Sequence, residues 1–300
     1  MKFFFFPLDR SPRVFEFRPA SLLIFAALSM PLTAATNAEE LIVVADLDNT
    51  LFQSNSGETS SGVGPSLYAG RVNYAENDHW ERRAVLRFDV SAIPEGSNIL
   101  EVTMRMQVTR SPPQPPINLL FELHECLNQW GEGGSSSNGG AGAPSQSGDA
   151  TWYQAIYPNV NWSNPGGDFT PTASGTTIVN ENGSYVFTGD GLTIDVQRWV
   201  DGGENFGWVM TAPVTELRTV RQIASRQNGN SSFRPTLTVT YEEGSGDIPG
   251  DFNGDGLVNG ADFGLLLIAW GNCRGCPEDL DGNGVVNGAD IGLLLTYWTG

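Results

Sequence analysis

Two copies of one oxygen-rich dodecapeptide close the chain, DFNGDGLVNGAD at 251–262 and DLDGNGVVNGAD at 279–290. Each places side-chain oxygens at positions 1, 3, 5, 9 and 12, with glycine at position 6, where the backbone must turn sharply. That spacing is the spacing of a calcium loop. In the first copy the expected ligands are Asp251, Asn253, Asp255, the carbonyl of Leu257, Asn259 and Asp262. In the second they are Asp279, Asp281, Asn283, the carbonyl of Val285, Asn287 and Asp290. Three carboxylates crowd each loop and repel one another unless a divalent cation sits among them. Two Ca2+ ions are therefore expected, and with them a segment whose folding depends on metal. Magnesium suits such a cage less well, because it is smaller and gives up its water reluctantly.

What flanks the loops narrows the fold. Pro249-Gly250 precedes the first and Gly275-Cys276-Pro277 the second, which leaves no room for an entering helix. Helices are predicted only after the loops. Phe263, Leu266, Leu267 and Trp270 fall at i, i+3, i+4 and i+7, and Ile291, Leu294, Leu295 and Trp298 repeat the spacing, so each helix is expected to bury that stripe on the other. A duplicated calcium loop plus single helix resembles the dockerin module, here over 250–300. The resemblance implies a cohesin-like protein partner. Gly260-Ala261 and Gly288-Ala289 depart from it, standing where better-known dockerins carry the polar pair that touches cohesin. Leu265, Ile268, Leu293 and Tyr297 lie off the main stripe; they either dock a partner or pack against the preceding domain.

At the other end, basic residues Lys2, Arg10, Arg13 and Arg18 precede an apolar run from Leu22 to Met30 and then small residues, with cleavage expected after Ala35 or Ala38. Residues 1–38 are thus expected to be a signal peptide, and the protein secreted, extracellular or held at the cell surface. The apolar run is short for a membrane span, and no longer one follows, so no span is expected in the mature chain. The formal net charge of −18 and the absence of any lysine beyond Lys2 disfavour nucleic acid, whose phosphates need cations. Three cysteines are too few for a disulfide scaffold. Cys273 and Cys276 could close a small clasp between the loops, whereas Cys126 fits a buried apolar position.

Between leader and loops, residues 39–243 alternate in the manner of strands. Leu86, Phe88 and Val90 oppose Arg87 and Asp89, and Val102, Met104, Met106 and Val108 oppose Glu101, Thr103, Arg105 and Gln107. Leu119, Phe121 and Leu123, then Phe206, Trp208 and Met210, then Leu237, Val239 and Tyr241 continue the pattern. The predicted fold is mainly β: an antiparallel β-sandwich of jelly-roll type, followed by a linker at 244–249 and a small α domain of two calcium-loop-plus-helix repeats at 250–300. One helical turn is expected at Asp195 to Val200. The stretch from Gly131 to Asp149, almost all Gly, Ser, Asn and Ala, is expected to be mobile.

The runs RRAVLRFDVSAIP (82–94), LHECLNQWGEG (123–133), GDATWYQ (148–154), WSNPGGDF (162–169) and FRPTLTVTY (233–241) resemble the DNRLRE domain family. That likeness implies a secreted β-sandwich module, in some members carbohydrate-binding. Sugar recognition calls for exposed aromatic faces with polar groups beside them, and the candidates are Trp130, Trp152, Tyr153 and Trp162, helped by His124, Glu132 and Asp168. Arg82, Arg83 and Arg87 are expected to pair with carboxylates such as Asp89. With two histidines and neither HExxH nor GxSxG, metal hydrolysis and serine-type acyl transfer have no visible machinery. The expectation is a secreted, non-catalytic polysaccharide-binding protein with a calcium-dependent attachment module, tied to polysaccharide breakdown or cell-surface assembly. Alternatives are a polysaccharide hydrolase or lyase with a dockerin, and a structural surface or matrix protein.

Overall fold

The computed structural model describes residues 1–2, 38–54, 56–73, 80–243, 248–254 and 256–299. The expected leader, most of the linker, His79 and the ligand Asp255 fall outside the described residues. Eleven strands form one curled sheet. They are β1 (Ala38–Val44), β2 (Leu47–Phe52), β3 (Ser66–Arg71), β4 (Glu81–Arg87), β5 (Asn98–Arg110), β6 (Leu119–Glu125), β7 (Gly175–Val179), β8 (Gly183–Phe187), β9 (Trp208–Thr211), β10 (Arg221–Ala224) and β11 (Thr236–Glu242). Their order is β1-β11-β5-β10-β3-β4-β9-β6-β7, with β8 also on β5 and β2 also on β4, and every pairing is antiparallel. The fold is mainly β and of the sandwich class.

Alternation places the core. Leu86, Phe88, Val90, Val102, Met104, Met106, Val108, Phe121, Leu123, Trp208, Met210, Leu237, Val239 and Tyr241 all enter one buried cluster. Phe206 does not follow its predicted partners; it precedes β9 and packs in a second cluster. The single turn expected at 195–200 is the end of an eleven-residue helix, α1 (Asp190–Val200). Leu192, Val196, Trp199 and Val200, spaced i, i+4, i+7 and i+8, seal it onto the main core.

The second cluster explains why β4 carries the unbroken apolar run Ala84-Val85-Leu86. Ala84 and Leu86 face the main core, while Val85, with Leu51 and Val209, faces outward into a layer built from residues 126–169. Cys126, Trp130, Ala150, Trp152, Ala155 and Trp162 fill that layer, and burial pushes the Cys126 thiol up to about 11.

Within it, the segment expected to be mobile is pinned. Ser135 and Asp149 are fully buried; the Asp149 carboxylate accepts from the amides of Ser135 (3.2 Å) and Gln146 (2.6 Å), and Ser135 accepts from Val63 (2.9 Å). Small side chains cannot make a core of their own, but they let backbones approach closely. A Cβ on Gly131 would sit 1.9 Å from the Gly148 carbonyl oxygen, and one on Gly62 would sit 1.7 Å from that of Glu132.

The tail holds α2 (Gly260–Ile268) and α3 (Gly288–Thr296). Its core is small: Val258, Leu266, Val286 and Leu294 are buried, with Phe263 and Ile291 packed against them. The predicted stripes are corrected at their outer members. Leu267 and Leu295 are exposed, as are Trp270 (53%) and Trp298 (41%), because each helix stops at about two and a half turns and its neighbour covers only one narrow seam. Among the described residues no helix is long and apolar enough to cross a membrane.

Candidate functional site

The two loops share their main hydrogen bonds. Position 1 accepts from the position 6 amide at 2.7 Å in both, Gly256 to Asp251 and Gly284 to Asp279. Position 12 accepts from the position 9 amide, Asn259 to Asp262 at 2.9 Å and Asn287 to Asp290 at 2.8 Å, and from the position 3 amide at 3.2 Å in each loop. Both position 6 glycines adopt the left-handed backbone that the turn requires, with φ of 83° at Gly256 and 88° at Gly284. Asp262 and Asp290 are fully buried and complete capping boxes at the starts of α2 and α3.

In the second loop, carboxylate oxygens of Asp279, Asp281 and Asp290 lie within 4.8 Å of one another. Three like charges this close fit a site for a metal ion, and the hard oxygen set suits a hard cation. The asparagines predicted as ligands have other partners. Asn259 and Asn287 turn their oxygens to the Ala261 (2.8 Å) and Ala289 (2.9 Å) amides as helix caps. The Val285 carbonyl accepts from the Asn287 side chain at 2.9 Å, and the Asn283 oxygen accepts from the Val285 amide at 2.9 Å. In the first loop Asp251, Asn253 and Leu257 occupy the equivalent places.

Of the four residues predicted as a partner face, Ile268 (83% exposed) and Tyr297 are open, while Leu265 and Leu293 are half-buried. Leu267, Trp270, Leu295 and Trp298 are exposed as well, and they recur at matching points of the two repeats. Helical spacing alone assigned them to the interior.

The aromatic residues predicted to meet sugar are corrected. Trp130, Trp152 and Trp162 are buried in the outer layer. Indole N–H groups of Trp130 and Trp162 donate to the carbonyls of Phe206 (2.8 Å) and Thr151 (2.9 Å), and the Arg83 guanidinium covers Trp152 at 5.0 Å. Tyr153, half-buried, packs over Gly57. Their polar helpers are equally occupied. Glu132 takes both arms of Arg226 at 2.5 Å, and His124 is bonded to the Thr170 carbonyl at 2.9 Å. At Asp168 burial opposes the charge, but hydrogen bonds from Ser163, Asn164 and Asn128 outweigh it and hold the carboxyl below its usual range. Arg87 pairs with Asp46 rather than Asp89, Arg83 with Glu81, and buried Arg82 with three backbone carbonyls.

An open recess lies elsewhere on the sandwich. Gln222 of β10 stands opposite Tyr68 of β3 and also opposite Arg110 of β5, so the three share one face. Val108 pairs with the next residue, Ile223, so Thr109 is an extra residue; this bulge turns Arg110 away from the core that Val108 enters. The row floors a cavity of about 240 Å³, walled by Ser111-Pro112-Pro113 and by Asn138-Gly139-Gly140 of the pinned segment. Arg82 holds the latter wall through the Gly140 carbonyl at 3.0 Å. No carboxylate lines the recess. Arg110 makes no side-chain hydrogen bond or ion pair among the described residues, and the buried hydroxyls of Tyr68 and Ser111 lack partners there. No pattern in the sequence marks these residues, because a bulge and a distant loop bring them together.

Compared with known proteins, the chain matches no family model and no curated sequence at a significant level.

Proposed function

We propose that this is a secreted, non-catalytic polysaccharide-binding protein whose tail binds two calcium ions and attaches it to a cohesin-like protein. The observation that carries the reading is the convergence of Asp279, Asp281 and Asp290 within 4.8 Å on a loop whose hydrogen bonds recur in its partner. Bound calcium would neutralise these carboxylates and those of the first loop, Asp251, Asp255 and Asp262. The chain's own groups do the rest: in the folded loop, backbone amides of Gly284 and Asn287 hold Asp279 and Asp290, and the caps start each helix at the loop's edge. The apolar surface around Trp270, Trp298 and Ile268 supports protein docking, since isolated exposed side chains are ordinary but a duplicated apolar patch is not.

For the sandwich, the recess over Tyr68, Gln222 and Arg110 replaces the buried tryptophans as the sugar site. A cation with no hydrogen bond or ion pair among the described residues, the side-chain amide of Asn138 and proline faces suit a sugar ring carrying a carboxylate.

Calcium titration by calorimetry tests the tail: two binding events are expected, one remaining in Asp251→Ala and one in Asp279→Ala. Absence of any heat at millimolar calcium overturns the reading. For the sandwich, Arg110→Ala should lose retention on uronate-containing polysaccharide with an unchanged melting temperature. Equal retention removes the recess from consideration.

A further inference from the structure

We propose that the Cys273–Cys276 disulfide makes the second loop a redox-dependent calcium site, while the first loop is indifferent to redox state. The inference rests on the calcium reading above and adds a regulator to it.

The loops share their internal geometry and one small core, against which Cys273 and Cys276 also pack, but their backbone supports differ. Position 8 of the first loop, Val258, is held by Thr299: the Thr299 amide donates to the Val258 carbonyl at 3.0 Å, and the Val258 amide donates to the Thr299 hydroxyl at 2.8 Å. In the second loop, Val286 and Val285 pair instead with Gly271 and Asn272. That strand runs directly into the disulfide.

From there the grip closes on itself. The Cys273 amide donates to the Gly284 carbonyl at 3.0 Å, and the Gly284 amide donates to the Asp279 carboxylate at 2.7 Å. The Asp279 amide in turn donates to the Cys276 carbonyl at 3.2 Å. The four-residue disulfide ring thus holds the loop at its turning glycine and at its first carboxylate. Nothing covalent does the same for Asp251 and Gly256. Arg274, inside the ring, lies against Gly284, where an added Cβ would meet its Cγ at 3.3 Å.

With the S–S bond closed, the spacing between Gly284 and Asp279 is largely fixed before a cation arrives, so little chain entropy is lost on binding. A dithiol opens it by delivering two electrons and two protons: its own sulfurs join in a disulfide, and Cys273 and Cys276 become thiols. Residues 273–276 then have to be ordered by the metal itself. A ring this short constrains modestly, and the expected weakening of the second site is about tenfold.

The experiment uses the full chain with one loop disabled at a time. Calcium affinity is measured by calorimetry for Asp251→Ala, which retains the second site, and for Asp279→Ala, which retains the first, each before and after dithiol treatment. Cys126 is a free, buried thiol in the sandwich, so among the described residues the dithiol acts only on Cys273–Cys276. Reduction should weaken binding about tenfold in Asp251→Ala and leave Asp279→Ala unchanged. A second comparison places Cys273→Ser with Cys276→Ser in the Asp251→Ala chain; affinity should match the reduced form and ignore dithiol. Equal affinity in both redox states, or equal weakening of both loops, overturns the clasp while leaving calcium binding intact. No binding by either chain in either state overturns the calcium reading, and the clasp with it.

Discussion

The sandwich and the tail solve the same problem with opposite means. In the sandwich, strands from β2 to β11 bury large side chains on both faces of β4, and its charges are absorbed into pairs such as Arg226 with Glu132 and Arg87 with Asp46. In the tail, four buried apolar residues face clustered aspartates, and several of its largest apolar side chains point to solvent. A core that small offsets little chain entropy, and under the proposed calcium reading bound metal supplies what burial does not. One region is stable by packing; the other, on the proposed reading, is conditional on metal.

Chelation is the sharpest way to break that contrast. Removing calcium from the full chain should abolish the helical circular-dichroism signal of α2 and α3 while the sandwich's melting transition stays in place. If both transitions collapse together, the two regions are not independent.

Trp208→Ala inverts the experiment. Trp208 is fully buried, meets Trp199 in a tilted contact with centroids 4.6 Å apart, and donates to Asp195 at 2.8 Å. Its loss should cost the sandwich about 3–5 kcal/mol in chemical denaturation and leave calcium binding unaltered.

Asp48 gives the sandwich a pH dependence of its own. Burial pushes its carboxyl up to about 8, Glu132 pushes in the same direction, and the Arg226 amide and guanidinium oppose them. The folded state therefore holds a proton that the unfolded chain releases above the ordinary value of 3.8. Stability is accordingly lost as pH rises from about 4 to about 8, with a limiting slope of about 1.4 kcal/mol per pH unit. Denaturant melts of Asp48→Asn across that window should lack this component.

The smallest expected effect sharpens the comparison at the surface. Trp270→Ala and Trp298→Ala should shift stability by no more than about 0.5 kcal/mol, because both rings are exposed, yet abolish capture of a protein partner. A larger loss of stability would return these side chains to the interior, where helical spacing alone had put them.

Much of this was legible in advance for a local reason. A period of two along β5 and β11 puts Val102, Met104, Leu237 and Val239 on one side whatever the strands pair with. The acidic loops are also local: position 1 and position 12 meet through bonds that span eleven residues at most, and glycine at position 6 permits the turn. Period and spacing fail where a second layer intervenes. Trp130, Trp152 and Trp162 carry no sign of which side of the sheet will be covered, and the glycine-rich segment gives no hint that its backbone will be captured by Val63 and Arg82.

By itself, then, the amino-acid order determined the strand alternation, the two acidic loops and the helices that follow them, since each depends on neighbours a few residues away. Only the tertiary structure decided which aromatics are hidden, that a bulge at Thr109 turns Arg110 outward beside Tyr68, and that Cys273 and Cys276 brace one loop and not the other. Those outcomes depend on contacts between distant segments, and the energy of such a contact belongs to both partners at once.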